Sequence, residues 1–121
     1  MIKTTNYEIS KKLAEIGFKA KAEKCWAKIK HSVQHPSLSE FNLVNLDFAV
    51  PQNCDEWVLS HDLETLLDAL PDTIGGRLMI HKEGMYYQEY MVEVQKQKNE
   101  SLADTAGRLI INLYENNLIK F

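Results

Sequence analysis

The sequence predicts an α+β two-layer sandwich, ordered α-β-β-α-β-β-α, with a four-stranded antiparallel sheet carrying its helices on one face. Three observations predict it. Apolar residues recur at helical spacing in three stretches and alternate at strand spacing between them. The strand-like stretches come in adjacent pairs with short connections, which favours antiparallel pairing. Each helical stretch carries one apolar stripe that a shared sheet face would bury. At 121 residues the chain suits a single domain spanning 1–121.

Thr5-Asn6-Tyr7-Glu8 reads as a capping box that opens the first helix. Ile9, Leu13 and Ile16 form its stripe. Gly17 stops it, and Phe18 is placed for the accompanying apolar contact. Ala20 to Ile29 reads as the first strand, with Cys25, Ala27 and Ile29 on one face and Lys24, Trp26 and Lys28 on the other. His31 to Glu40 is polar, contains Pro36 and reads as a loop. Phe41 to Val50 is the second strand, in which Val44, Leu46, Phe48 and Val50 alternate with Leu43, Asn45, Asp47 and Ala49. Glu56 to Leu59 reads as a short extended piece.

Ser60 or Asp62 caps the second helix. Leu63, Leu66, Leu67 and Leu70 follow at i, i+3, i+4 and i+7, and Pro71 ends it. Gly75-Gly76 marks a turn. Arg77 to His81 and Met85 to Val94 are two strands joined by a hairpin loop at Lys82-Glu83-Gly84. After a polar connector, Ser101 and Asp104 resemble a capping box for the last helix. Leu102, Ala106, Leu109, Ile110 and Leu113 form its stripe. Asn116 and Asn117 suit the left-handed turn that ends a helix, with Leu118 folding back on it.

Three of these segments together resemble a known group. They are Ile9-Ser10-Lys11-Lys12-Leu13 running to Gly17-Phe18, Asp62-Leu63-Glu64-Thr65-Leu66-Leu67 running to Leu70-Pro71, and Glu100-Ser101-Leu102-Ala103-Asp104 running to Leu109. Their order is similar to that of small uncharacterised proteins of bacterial phages and prophages. The resemblance covers the helices, about a third of the chain. Its motifs are caps and core positions, so it implies a fold and transfers no catalytic residue.

Composition narrows the function classes. The net charge of −3 argues against a nucleic-acid partner, although Lys11, Lys12, Lys19, Lys21, Lys24, Lys28 and Lys30 give the first third a positive bias. No apolar run is long enough for a membrane helix, and no signal-peptide pattern precedes the first helix. The cytoplasm is therefore the expected location, and its reducing conditions suit a chain with only Cys25 and Cys54.

Candidate chemistry is sparse. Cys25, His31, His35 and Cys54 could supply sulfur and nitrogen ligands, but the cysteines lack knuckle spacing, so no metal site is expected. Ser60-His61-Asp62 places three catalytic residue types side by side, yet adjacent residues point in different directions, and helix capping explains the stretch. Cys54 beside Asp55 and His61 has no nucleophile signature. Gly75-Gly76 lacks the strand-before, helix-after setting of a phosphate loop. No cofactor is expected, and a non-enzymatic protein is the favoured expectation.

A surface is the more informative feature. If Glu89 and Glu93 mark the solvent face of the last strand, then Met85, Tyr87 and Met91 share it, while Tyr86, Tyr90, Val92 and Val94 turn inward. By the same alternation Met79 and His81 lie outward, with Leu78 and Ile80 inward. The expected helix-free face thus carries Trp26, Leu43, Met79, Met85, Tyr87 and Met91, an adaptable contact patch rich in methionine and aromatics. The leading expectation is a small cytoplasmic binding module acting through protein contacts, with self-association. A second reading is a small-molecule binder with a pocket formed by Trp57, His61 and Tyr86. An unrecognised hydrolase or nuclease is the third.

Overall fold

The computed structural model describes residues 3–29, 41–71, 77–87 and 92–121. The expected loop at His31–Glu40, the Gly75-Gly76 turn and the expected faces of Glu89, Tyr90 and Met91 lie outside them. The described chain is α+β, with helices α1 (Tyr7–Glu15), α2 (Leu63–Ala69) and α3 (Leu102–Glu115). Its strands are β1 (Lys24–Ile29), β2 (Phe41–Asn45), β3 (Cys54–Ser60), β4 (Leu78–His81), β5 (Gly84–Tyr87) and β6 (Val92–Gln95).

The helix ends follow the local chemistry of the sequence. Asp62 caps α2 by accepting from the Thr65 N–H at 2.8 Å. Ser101 caps α3 by accepting from the Asp104 N–H at 3.2 Å, as the box predicts. Both longer helices end in the same left-handed turn. At α1, Gly17 (φ +92°) and Phe18 donate to Ala14 and Leu13. At α3, Asn117 (φ +60°) and Leu118 donate to Tyr114 and Leu113. The start of α1 differs from expectation. Asn6, not Thr5, is the cap, and its side chain accepts from Ile9 N–H at 2.8 Å. Thr5 is fully buried, and its hydroxyl bonds Ser10 Oγ at 2.7 Å instead.

The single four-stranded sheet is corrected to two three-stranded antiparallel sheets, β2-β1-β3 and β4-β5-β6. Two features of the chain cause this. Cys54–Ser60 is a full strand that pairs along β1, with Glu56 opposite Lys28 and Val58 opposite Trp26. The expected strand Met85–Val94 is two strands, β5 and β6, which pair with each other. The second strand is also shorter than expected, because Leu46–Phe48 forms a 3₁₀ turn closed by Ala49 N–H on Leu46 O.

The main core surrounds α3, which packs against α1, α2, β5 and β6. Leu109, Ile110 and Leu113 are fully buried there with Leu13, Leu66, Met85 and Tyr87. Gly107 lets α1 come close to α3: a Cβ at this position would lie 2.6 Å from Ile9 Cγ2. Its cost in helix propensity is about 1 kcal/mol relative to alanine. No helix among the described residues is long and apolar enough to cross a membrane.

Candidate functional site

The expected six-residue contact surface does not assemble. Directly opposed residues in an antiparallel pair share a face. Tyr87 opposes Leu78 and Val92, and Met85 opposes Ile80 and Val94. Met85 and Tyr87 are fully buried against the helices, which corrects their outward assignment. Tyr87 also donates its hydroxyl to Pro71 O at 2.6 Å. Tyr86 takes the outer face, opposite Met79 and Glu93, and stacks on His81 with ring centroids 5.5 Å apart. Treating Met85–Val94 as one strand joined Met85 and Tyr87 to the parity of Glu93. Pairing β5 with β6 reverses that relation. Ile80 has inward parity but hangs off the edge strand, 45% exposed. Trp26 and Leu43 belong to the other sheet, and Met91 lies outside the described residues.

Nor are Trp57, His61 and Tyr86 brought together as a pocket. A cleft of about 510 Å³ is lined by Tyr86 with His81, Glu93 and Gln95, without Trp57 or His61. His61 instead joins the N-terminal segment to the end of β3. Its carbonyl accepts from Thr5 N–H at 2.9 Å, and its own N–H reaches Thr5 Oγ1 at 3.3 Å. The Thr5 carbonyl gathers Ser60 Oγ at 2.6 Å and the Trp26 indole N–H at 2.8 Å. Ser60 and His61 are thus structural links, and Asp62 is a cap. Among the described residues, no cluster of three His, Cys, Asp or Glu side chains could hold a metal ion.

The His61 ring is buried against Phe18, and its Nε2 lies 2.7 Å from Ala20 O, so Nε2 carries the proton in the neutral ring. Burial pushes its pKa below the ordinary 6.5, partly opposed by Ala20 O and by Asp62. Neutral His61 therefore gives full stability above about pH 6.5, and stability falls as the unfolded state takes up the proton below it. One proton limits the slope to about 1.4 kcal/mol per pH unit. Glu100 and Asp62 are shifted below 4.5 and 3.8, so their windows lie lower. His61→Gln keeps an amide donor for Ala20 O and cannot titrate. Between pH 7.5 and 5.5 its melting temperature should fall less than that of wild type. Parallel curves would contradict this assignment.

The first sheet carries the remaining candidate surface. One of its faces holds Trp26 and Ser60 and is bonded to Thr5 just ahead of α1. On the opposite face, Cys25, Ala27 and Cys54 form a small cluster with Ala49. Its partly buried neighbours are Ile29, Val44 and Leu46, so among the described residues the cluster draws on strands and on the turn after β2. Three large apolar side chains stand exposed around it: Phe48 at 40%, Val50 at 37% and Trp57 at 36%. Phe48 and Val50 flank the buried Ala49, and Trp57 lies directly across from Ala27. This reverses the expected strand alternation, because the 3₁₀ turn sends Ala49 inward and its neighbours out. Cys25 and Cys54 are free thiols, and burial followed by the nearby Cys54 pushes the Cys25 pKa up, which keeps it an unreactive thiol.

No protein-family model, curated protein or solved structure gives a significant match to this chain.

Proposed function

We propose that the protein is a non-enzymatic contact module of phage or prophage type that pairs with a second copy through the turn-covered face of its first sheet. The exposed set of Phe48, Val50 and Trp57 around a cluster of small side chains is the observation that supports this reading. Phe48 and Val50 flank Ala49 of that cluster and Trp57 lies across from its Ala27, so three exposed apolar side chains border it. Tryptophan and phenylalanine are enriched at the centres of protein interfaces, where their area is buried at low entropy cost. A two-fold pairing would let the same patch serve both partners. The order of helix endings supports the phage-type assignment, and two free thiols suit a reducing cytoplasm.

Light scattering on wild type and on Trp57→Glu tests the reading. Wild type should be a dimer at high concentration, and the variant a monomer with a near-normal melting temperature. Trp57 is already partly solvated, so the carboxylate stays hydrated in the monomer. At an interface it would be desolvated, at a cost of several kcal/mol. A monomeric wild type would overturn the proposal.

A further inference from the structure

Among the described residues the second sheet has an open edge with a distinct character. Among the described residues β6 pairs only with β5. Lys96 N–H donates to Glu83 O at 2.7 Å, so residues 83 and 96 form a hydrogen-bonded pair. Antiparallel ladders alternate, so Glu93 and Gln95 turn their main-chain N–H and C=O groups away from β5. One of these groups is already used: Arg108 Nη2 donates to Gln95 O from α3. The guanidinium is held there by Glu100, with Nε to Oε2 at 2.8 Å. The Glu93 N–H, the Glu93 C=O and the Gln95 N–H have no hydrogen-bond partner among the described residues.

These groups border a cleft of about 540 Å³ between β6, α1 and α3. Four carboxamides line it, those of Gln95, Gln97, Asn112 and Asn116, with Ile9 and Ile111 as apolar floor. Asn116 Nδ2 already donates to Asn112 O and Oδ1, and Gln95 Nε2 to Glu93 Oε1. That leaves the Gln97 carboxamide, and the remaining donors and acceptors of the other three, to meet a peptide group. The cleft's free charges balance, with Lys12 and Lys96 against Glu93 and Glu115, while Arg108 is committed to Glu100. Such a lining selects neither an anion nor a cation.

We propose that the free edge of β6 and its adjoining cleft take up an extended, uncharged peptide segment of a partner protein as an added strand. Main-chain bonds to Glu93 and Gln95 would supply affinity. The residue placed opposite Val94 would point inward over Ile111, so it should be apolar with polar neighbours on either side. This surface lies on the second sheet, apart from the self-association patch on the first, and the proposal stands independently of that reading.

The test is selection of a displayed library of random short peptides on the full chain, followed by amide-resolved titration with the enriched sequences. Enriched peptides should be uncharged with a central apolar residue, and should shift and protect the Glu93 and Gln95 amides. Gln95→Pro removes an N–H that serves no internal bond among the described residues, and should weaken binding at least about tenfold. Asn112→Arg fills the cleft from α3 and should do the same, which covers the case in which the proline variant fails to fold. Trp57→Glu should bind the peptides as wild type does. Selection without a binder, enrichment of charged peptides, or equal binding to both cleft variants would overturn the proposal. Movement of the Glu93 and Gln95 amides with protein concentration alone would place a second copy on the edge, and would overturn it too.

Discussion

Met85→Glu should unfold the protein, whereas Tyr86→Glu should melt close to wild type. The two residues are neighbours in β5 and face opposite sides of the sheet. Met85 is fully buried in the core around α3. Losing its burial removes about 2 kcal/mol, and an unpaired buried carboxylate adds several more. Together these approach the whole stability of a small domain, about 5–15 kcal/mol. Tyr86 gives up its stacking on His81 and an exposed 3.3 Å hydrogen bond to His81 Nε2, about 1 kcal/mol together. Its replacement stands opposite Glu93, so a small like-charge penalty is added. Thermal melts by circular dichroism separate the outcomes. A folded Met85→Glu would mean that the inner and outer faces of the second sheet are reversed.

Leu109→Ala and Leu66→Ala should each destabilise by about 2–5 kcal/mol, because a buried branched side chain leaves a cavity that the surroundings fill only in part. Both residues are fully buried, Leu109 on the helix at the centre of the core and Leu66 on α2 against it. Ile80→Ala is the matched control. It removes a side chain that is 45% exposed, and should cost under about 1 kcal/mol. Denaturant titration measures all three. Near-wild-type midpoints for both leucine variants would show that α2 and α3 bury other faces.

What the sequence revealed and what it hid have a common physical origin. Helix ends depend on residues a few positions apart, so Gly17-Phe18, Asp62, Ser101 and Asn117-Leu118 were all legible. Strand pairing depends on distant partners, and there the local signal failed. Gln88-Glu89-Tyr90-Met91 contains no Gly, Pro, Asn or Asp, so nothing marked β5 and β6 as separate strands. That one omission inverted the faces of Met85, Tyr86 and Tyr87. Asp55-Glu56 likewise disguised β3, an outer strand on which charged side chains are at home. Phe48 and Val50 fitted strand alternation so well that the 3₁₀ turn exposing them left no trace in the pattern. Trp57 was visible as a candidate, but its companions at the surface could be found only from the fold.

The two tryptophans provide the most direct test of self-association. Trp26 has its indole N–H fixed to Thr5 O, whereas Trp57 stands at the proposed contact surface. Indole N–H resonances recorded across a dilution series report on each ring separately. The Trp57 resonance should shift as the dimer dissociates, while that of Trp26 stays in place. An unmoved Trp57 resonance over a range in which light scattering shows dissociation would contradict the proposed interface.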